Sequence, residues 1–313
     1  MRKEILLIAF LVMNLVSEAQ QDPQFSQNMF NHMTINPAFA GEQGQWSVSG
    51  IYRNQWMGMD GAPETYAINV DAPFRVGHAD GGLGLGLMSD KLGMYTNLHL
   101  MLNYAYKIQM NFGVLSMGLK AGVMNLKLGK DYYIPDGDDF TQPGNDPALA
   151  DAEASKMMFD AGVGVFLSGD KFYAGAAVAH LTKPLMKIGE TGEFFWPRYL
   201  HLTGGYTIGI SPRIDIQPSV FFKTDFISSQ FSVNANVVYD KTFWGGVSYR
   251  YNEAIVFMAG MELKAGLMLG YSYDWNSGKI GKYTGGSHEV SLAYHFGMKI
   301  GKKQKLYKSV RFL

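Results

Sequence analysis

The sequence predicts an all-β protein, a transmembrane barrel of about 14 antiparallel strands of the outer-membrane type. Three observations carry the prediction. Apolar and polar residues alternate with period two in segments spread from residue 46 to residue 296. The connections between these segments separate into a long set and a short set. The chain opens with a secretory-type leader, yet no later run of ~18 apolar residues could cross a bilayer as a helix.

Composition agrees with this class. The 313 residues include 37 Gly, 18 Tyr and 20 Phe, and charged residues make up only 17%, against ~25% in ordinary soluble domains. Mean hydropathy is −0.06, as expected when each strand has one apolar and one polar face. There is no Cys, which removes thiolate chemistry, disulfides and Cys-based zinc sites. A formal net charge of zero argues against a nucleic-acid partner, which would need a basic footprint.

Taken in order, residues 1–19 read as a signal peptide. Arg2 and Lys3 form the charged start and Ile5 to Val16 the apolar stretch. Ser17-Glu18-Ala19 places small residues for cleavage near Ala19/Gln20. Residues 20–45 are rich in Asn and Gln and too polar to face lipid, so we expect a periplasmic or plug segment. Residues 46–297 form the barrel. Residues 298–313 are a basic tail containing Lys299, Lys302, Lys303, Lys305, Lys308 and Arg311, suited to a periplasmic or peptidoglycan-associated partner.

Within the barrel the alternation marks strands at 46–56, 64–72, 81–90, 95–108, 113–128, 157–168, 171–181, 198–210, 213–223, 230–239, 242–251, 254–264, 267–275 and 288–297. Three long connections, 129–156, 182–197 and 276–287, fall on one side of the alternation. Tight turns such as Ser211-Pro212 and Asp240-Lys241 fall on the other. Outer-membrane barrels have long extracellular loops and short periplasmic turns, so both termini are expected in the periplasm.

The first strand, GQWSVSGIYRNQWMG, shows the scale. Trp46 and Trp56 are ten residues apart and share parity. Ten residues at ~3.3 Å, tilted by ~40°, rise about 25 Å, the height of the apolar band between two aromatic girdles. Trp46 and Trp56 then belong to the girdles, while Ser47, Ser49, Arg53 and Gln55 face the lumen.

Other motifs lead to no chemistry. Gly81-Gly82-Leu83-Gly84-Leu85-Gly86 fails the G-x-G-x-x-G spacing because Leu87 stands at the last position. It reads instead as a strand whose lumenal face is bare, leaving volume inside the barrel. The loop 129–156 carries Asp136, Asp138 and Asp139 among other acids. A Ca²⁺ site is possible there, but the EF-hand order and closing Glu are missing, and no cofactor is expected. No Ser–His pair suits a lipid-facing hydrolase, so we expect no enzyme. The acidic loop, together with Phe194, Phe195 and Trp196 in 182–197, offers a surface for a protein partner, the aromatic cluster reading equally as part of the outer girdle.

Certain segments carry a family resemblance. DPQFSQNMFNHMTINPAFAG at 22–41, YRNQWMGMDGAPETY at 52–66 and GSHEVSLAYHF at 286–296 resemble the PorP/SprF family of the type IX secretion system. The ordered set Asn36-Pro37-Ala38, Gly41, Arg53, Gln55, Trp56 and Pro63 is the specific part. The resemblance implies a non-enzymatic barrel in the outer membrane of a Gram-negative bacterium. Its partners would be other secretion components and secreted, adhesin-type cargo, in some members linked to gliding. The Asn-Pro-Ala triplet is also similar to the pre-barrel segment of FadL-type transporters, fourteen-stranded barrels with an N-terminal hatch. That similarity implies a FadL-like barrel in which Asn36 and Pro37 lie in a plug facing Arg53 and Gln55. It also keeps open a second function, a channel for a small apolar ligand.

Overall fold

The computed structural model describes residues 22–76, 79–129, 154–188 and 192–297. Its strands are β1 (Trp46–Asn54), β2 (Glu64–Val76), β3 (Ala79–Leu92), β4 (Tyr95–Met110), β5 (Gly113–Leu128) and β6 (Ala154–Ser168). They continue with β7 (Phe172–Ala179), β8 (Leu185–Ile188), β9 (Gly192–Phe195), β10 (Tyr199–Tyr206), β11 (Ile208–Ser211) and β12 (Ile214–Thr224). The chain closes with β13 (Ser229–Tyr239), β14 (Phe243–Arg250), β15 (Ala254–Glu262), β16 (Leu267–Asn276) and β17 (Ser287–Phe296).

Fifteen of these segments form one antiparallel sheet, with β10 and β11 as successive pieces of a single strand broken at Thr207. The sheet is a closed barrel of fourteen strands. One seam is β1 against β17, from Trp46↔Phe296 to Asn54↔His288. Opposite, β10 pairs with β12 from Leu200↔Thr224 to Gly205↔Ser219. Closure joins the two ends of the sheet through β10 and β12, so the barrel carries no open sheet edge along that seam, as a backbone in hydrocarbon requires.

The burial pattern is inverted relative to a soluble protein. On β4, Leu98, Leu100, Leu102, Tyr104 and Tyr106 are exposed, and Asn97, His99, Asn103 and Lys107 are buried. On β13, Phe231, Val233, Val237 and Tyr239 point out, while Gln230, Ser232, Asn234 and Asn236 point in. An apolar outer belt of this kind suits lipid as the outer solvent. No helix among the described residues is long and apolar enough to cross a membrane.

All fourteen strands read from alternation are present, with shifted ends. β2 runs on to Val76 and pairs with β3 from Ala79, so most of the connection read as 73–80 is strand. β1 stops at Asn54 rather than at Trp56. Trp56 has a φ of 55°, incompatible with extended backbone, and its N–H bonds Ser287 Oγ at 3.1 Å. Trp46, in contrast, lies on the strand and stacks on Phe296 with ring centroids 6.3 Å apart.

The hairpin β8–β9 was not legible as strands. It lies within the connection read as 182–197 and pairs Leu185↔Phe195 through Ile188↔Gly192. Met186 and Trp196 join Met101, Met124, Leu126, Leu128 and Met158 in one apolar cluster. The hairpin is therefore folded against the lumenal faces of β4, β5 and β6, near the rim that carries the long connections.

Candidate functional site

The lumen is occupied by the chain's own N-terminal segment. Residues 22–45 contain a 3₁₀ turn at Asn28–Phe30, one α-helical turn at His32–Ile35 and a second 3₁₀ turn at Pro37–Phe39. Almost every residue of this stretch is buried. Four sets of contacts fix it to the wall.

At the first, Ser26 meets a cluster of charges. Arg53 donates to Ser26 Oγ at 2.7 Å, to Asp274 at 2.8 Å and to Glu289 at 3.3 Å. Arg250 donates to Asp274 at 3.0 Å and to Ser26 Oγ at 3.1 Å. The Ser26 hydroxyl donates to Asp274, so its single proton and both lone pairs are used. Glu289 also accepts the backbone N–H groups of Ser26 and Gln27, both at 2.8 Å. Two guanidinium groups thus face two buried carboxylates, Arg250 also pairing with the half-buried Glu253 at 3.3 Å, and Arg53, Asp274 and Glu289 are 0–1% exposed. Satisfied in this way, buried charge is tolerable, whereas losing one partner is costly.

The second set is the Asn-Pro-Ala turn. Asn36 Oδ1 accepts from the N–H of Ala38 at 3.0 Å, capping the 3₁₀ turn, and Pro37 follows at its first position. Asn36 Nδ2 donates to Val165 O at 2.9 Å on β6. The wall beneath is bare. A Cβ at Gly164 would overlap the Asn36 amide, one at Gly118 would overlap Ala38, and one at Gly82 would overlap the Ala40 carbonyl. Gly41, at φ +65°, turns the chain in the left-handed region and donates to Asp71 at 2.8 Å.

The third set centres on Glu42, which pairs with Lys107 Nζ at 2.9 Å and accepts from Ser116 at 3.3 Å and from Ser168. The fourth is at the start of the segment. His180, the first residue beyond β7, bridges Asp160 at 2.8 Å and Asp22 at 2.9 Å, and Lys223 donates to the Asp22 carbonyl at 2.9 Å. Burial disfavours the charged imidazole of His180, but the Asp22 charge and the hydrogen bonds to Asp160 and Asp22 outweigh it, raising its pKa to about 9. Burial likewise opposes the Asp22 carboxylate, and His180 and Lys223 more than compensate, holding it below its usual range. Between these points Phe30 packs on Trp244 at 4.5 Å, and Phe39 meets Phe166 edge-on at 5.3 Å.

The predicted residues fall unevenly on this site. Asn36, Pro37 and Arg53 are in it. Gln55 is beyond the end of β1, and its side chain makes no hydrogen bond to the segment; its N–H bonds Pro63 O at 2.9 Å. Asp136, Asp138 and Asp139, the Ca²⁺ reading that rests on their loop, the leader and the basic tail lie outside the described residues. Among the described residues no cluster of metal ligands occurs. Phe194 packs on Tyr95 at 5.3 Å and on Trp196 at 4.5 Å. Trp196 is 7% exposed, packed into the mouth with Met186 where the hairpin folds inward. Sequence reasoning did not single out Ser26, Glu42, Lys107, Arg250, Asp274 or Glu289. Their signal was present: each of the strand-borne ones is an ionisable residue at lumenal parity.

Residues 17–294 match the family model described as "Type IX secretion system membrane protein PorP/SprF". The chain belongs to the PorP/SprF family. No curated protein matches it significantly. Among solved structures, it is similar to the toluene transporter TbuX of Ralstonia pickettii at 12% identity and a TM-score of 0.49, covering 84% of this chain and 92% of that one. It is similar to the CymD monoaromatic hydrocarbon channel at 13% identity and a TM-score of 0.49, covering 88% and 94%. Likenesses this distant carry nothing about function. For this PorP/SprF barrel, family and fold together give an outer-membrane location and a place in type IX secretion.

Proposed function

We propose that this PorP/SprF protein is a plugged, non-enzymatic outer-membrane component that acts beside the route of secretion rather than as the route. It would support secretion or surface anchoring of adhesin-type cargo, in a gliding organism including gliding adhesins, through protein contacts. The observation that supports this most is the filled lumen: residues 22–45 cross it and are tied to β1, β2, β4–β7, β12, β14, β16 and β17. Barrel diameter grows with strand number, and a fourteen-stranded lumen holding such a segment leaves no space for a folded cargo domain.

The contacts would come from the two ends of the barrel. The acidic loop 129–156 on the extracellular side would meet cargo, and the basic tail 298–313 would reach a periplasmic or peptidoglycan-bound partner. Cleavage near Ala19/Gln20 would free the plug segment to enter the lumen. The test is a strain lacking the gene, complemented with wild type or with a variant trimmed at 134–152. Surface display of cargo should fall in both the null strain and the trimmed strain, with the trimmed barrel still assembled. Unchanged cargo display in both strains would refute the role and favour the apolar-ligand channel.

A further inference from the structure

A cavity of about 80 Å³ lies between the N-terminal segment and the wall. On the same measure one water needs only ~10–15 Å³, so a small organic molecule has room. Its lining divides by chemistry. Phe25 and Met33 from the segment and Met101 and Phe221 from the strands give an apolar floor. Lys120, on β5, reaches in from the wall and is 9% exposed. Its ammonium has no hydrogen bond and no ion pair within 4 Å among the described residues. Asp22 and Asp160, the nearest carboxylates, are taken by His180.

Asp22, His180 and Lys223 also line the cavity but are bonded to one another or to Asp160, whereas four further lining residues carry unpartnered atoms. His99 Nε2, His201 Nδ1, Asn103 Oδ1 and Gln230 Oε1 are buried without partners, and all four residues line this cavity. Buried polar atoms are nearly always paired, by protein, water or ligand. A single cavity collecting a lysine without a hydrogen bond and two unpartnered imidazole nitrogens over an apolar floor has the pattern of a ligand site.

We propose that the cavity binds a small amphipathic carboxylate. Its oxygens accept from Lys120 and from the His99 and His201 rings in their donating tautomers. Its apolar body lies on Phe25, Met33, Met101 and Phe221. Since the segment supplies one wall and the strands the other, the bound acid would tie the plug to the barrel. Nothing in this depends on the secretion role, and the two stand or fall separately.

The test uses the full mature chain in lipid nanodiscs and equilibrium dialysis with labelled phenylacetate and hexanoate. 2-Phenylethanol and 2-phenylethylamine serve as matched uncharged and cationic probes. We expect saturable one-site binding of at least one acid, with the alcohol and amine weaker by at least about tenfold, the scale of one charge-assisted hydrogen bond. Lys120→Met should weaken the acid similarly, and Met101→Trp, which fills the cavity without touching the charge, should abolish it. No saturable binding of either acid in the millimolar range overturns the proposal, as does equal binding of alcohol and acid. Acid binding unchanged in an assembled Lys120→Met barrel overturns it too. If that variant does not assemble, the comparison of probes on the wild type still decides.

Discussion

Replacing Arg53 by Ala should loosen the plug far more than it weakens the barrel. Arg53 is 1% exposed and bonds Ser26, Asp274 and Glu289 at 2.7–3.3 Å. Without it, two buried carboxylates face one remaining guanidinium, Arg250. Breaking one side of a buried charge cluster costs ~3–5 kcal/mol. The lower half of that range applies, because Glu289 keeps the N–H groups of Ser26 and Gln27 and Asp274 keeps Arg250. At 1.4 kcal/mol per decade, ~3–4 kcal/mol shifts the docking equilibrium of the segment by roughly 10²–10³. The strand ladder of β1 to β2 and β17 is backbone bonding and is untouched by the change. Single-channel conductance in planar bilayers, with heat-modifiability on gels as the check on assembly, reads the two effects apart. Arg53→Ala should open the lumen for a detectable fraction of time, and Arg53→Lys should fall between, keeping charge but not the fork. In a double-mutant cycle, Arg53→Ala with Asp274→Asn should cost less than the sum of the single changes. An assembled Arg53→Ala barrel with wild-type conductance and a purely additive cycle would refute the reasoning.

Three further outcomes are expected. Gly82→Ala should displace the segment and raise conductance, because its Cβ would overlap the Ala40 carbonyl; Gly209→Ala, whose Cβ meets only Asp215 Oδ1 at 3.4 Å, should not. His180 carries a pKa raised from 6.5 to about 9, so its stabilising contribution is complete below pH 6.5 and is lost as pH rises through about 9. The Tm gap between wild type and His180→Gln should therefore be widest at pH 6 and close by pH 10, and a gap independent of pH would remove the His180 bridge from the account. Single cysteines at Lys282, in a long connection, and at Asn111, in a short turn, should label oppositely with an impermeant maleimide on intact cells, Lys282→Cys reacting and Asn111→Cys protected; reversed labelling would invert the barrel.

The sequence by itself determined the strand number, the faces and the class of solvent on each side. Period-two alternation is local: Leu98 and Asn97 declare opposite sides whatever else the chain does. The sorting of long and short connections is likewise a property of order along the chain. Lumenal parity of Arg53, His99, His201 and His295 was readable for the same reason, and all four are buried. The bare glycines at 82, 84 and 86 announced room inside the barrel. What parity cannot supply is partnership across the lumen. Ser26 lies 248 residues from Asp274 and 263 from Glu289, and Asn36 meets Val165 across 129 residues. Such pairs are set by barrel closure and by the register of β1 on β17, quantities summed over every strand rather than held in any one. Closure also decided that Trp196 and Met186 turn inward, because a short hairpin can bury its apolar side only against the mouth of its own barrel. The position of Trp56, past the end of its strand, was decided by a positive φ that the pairing of 57 with 286 imposes and that alternation alone does not reveal.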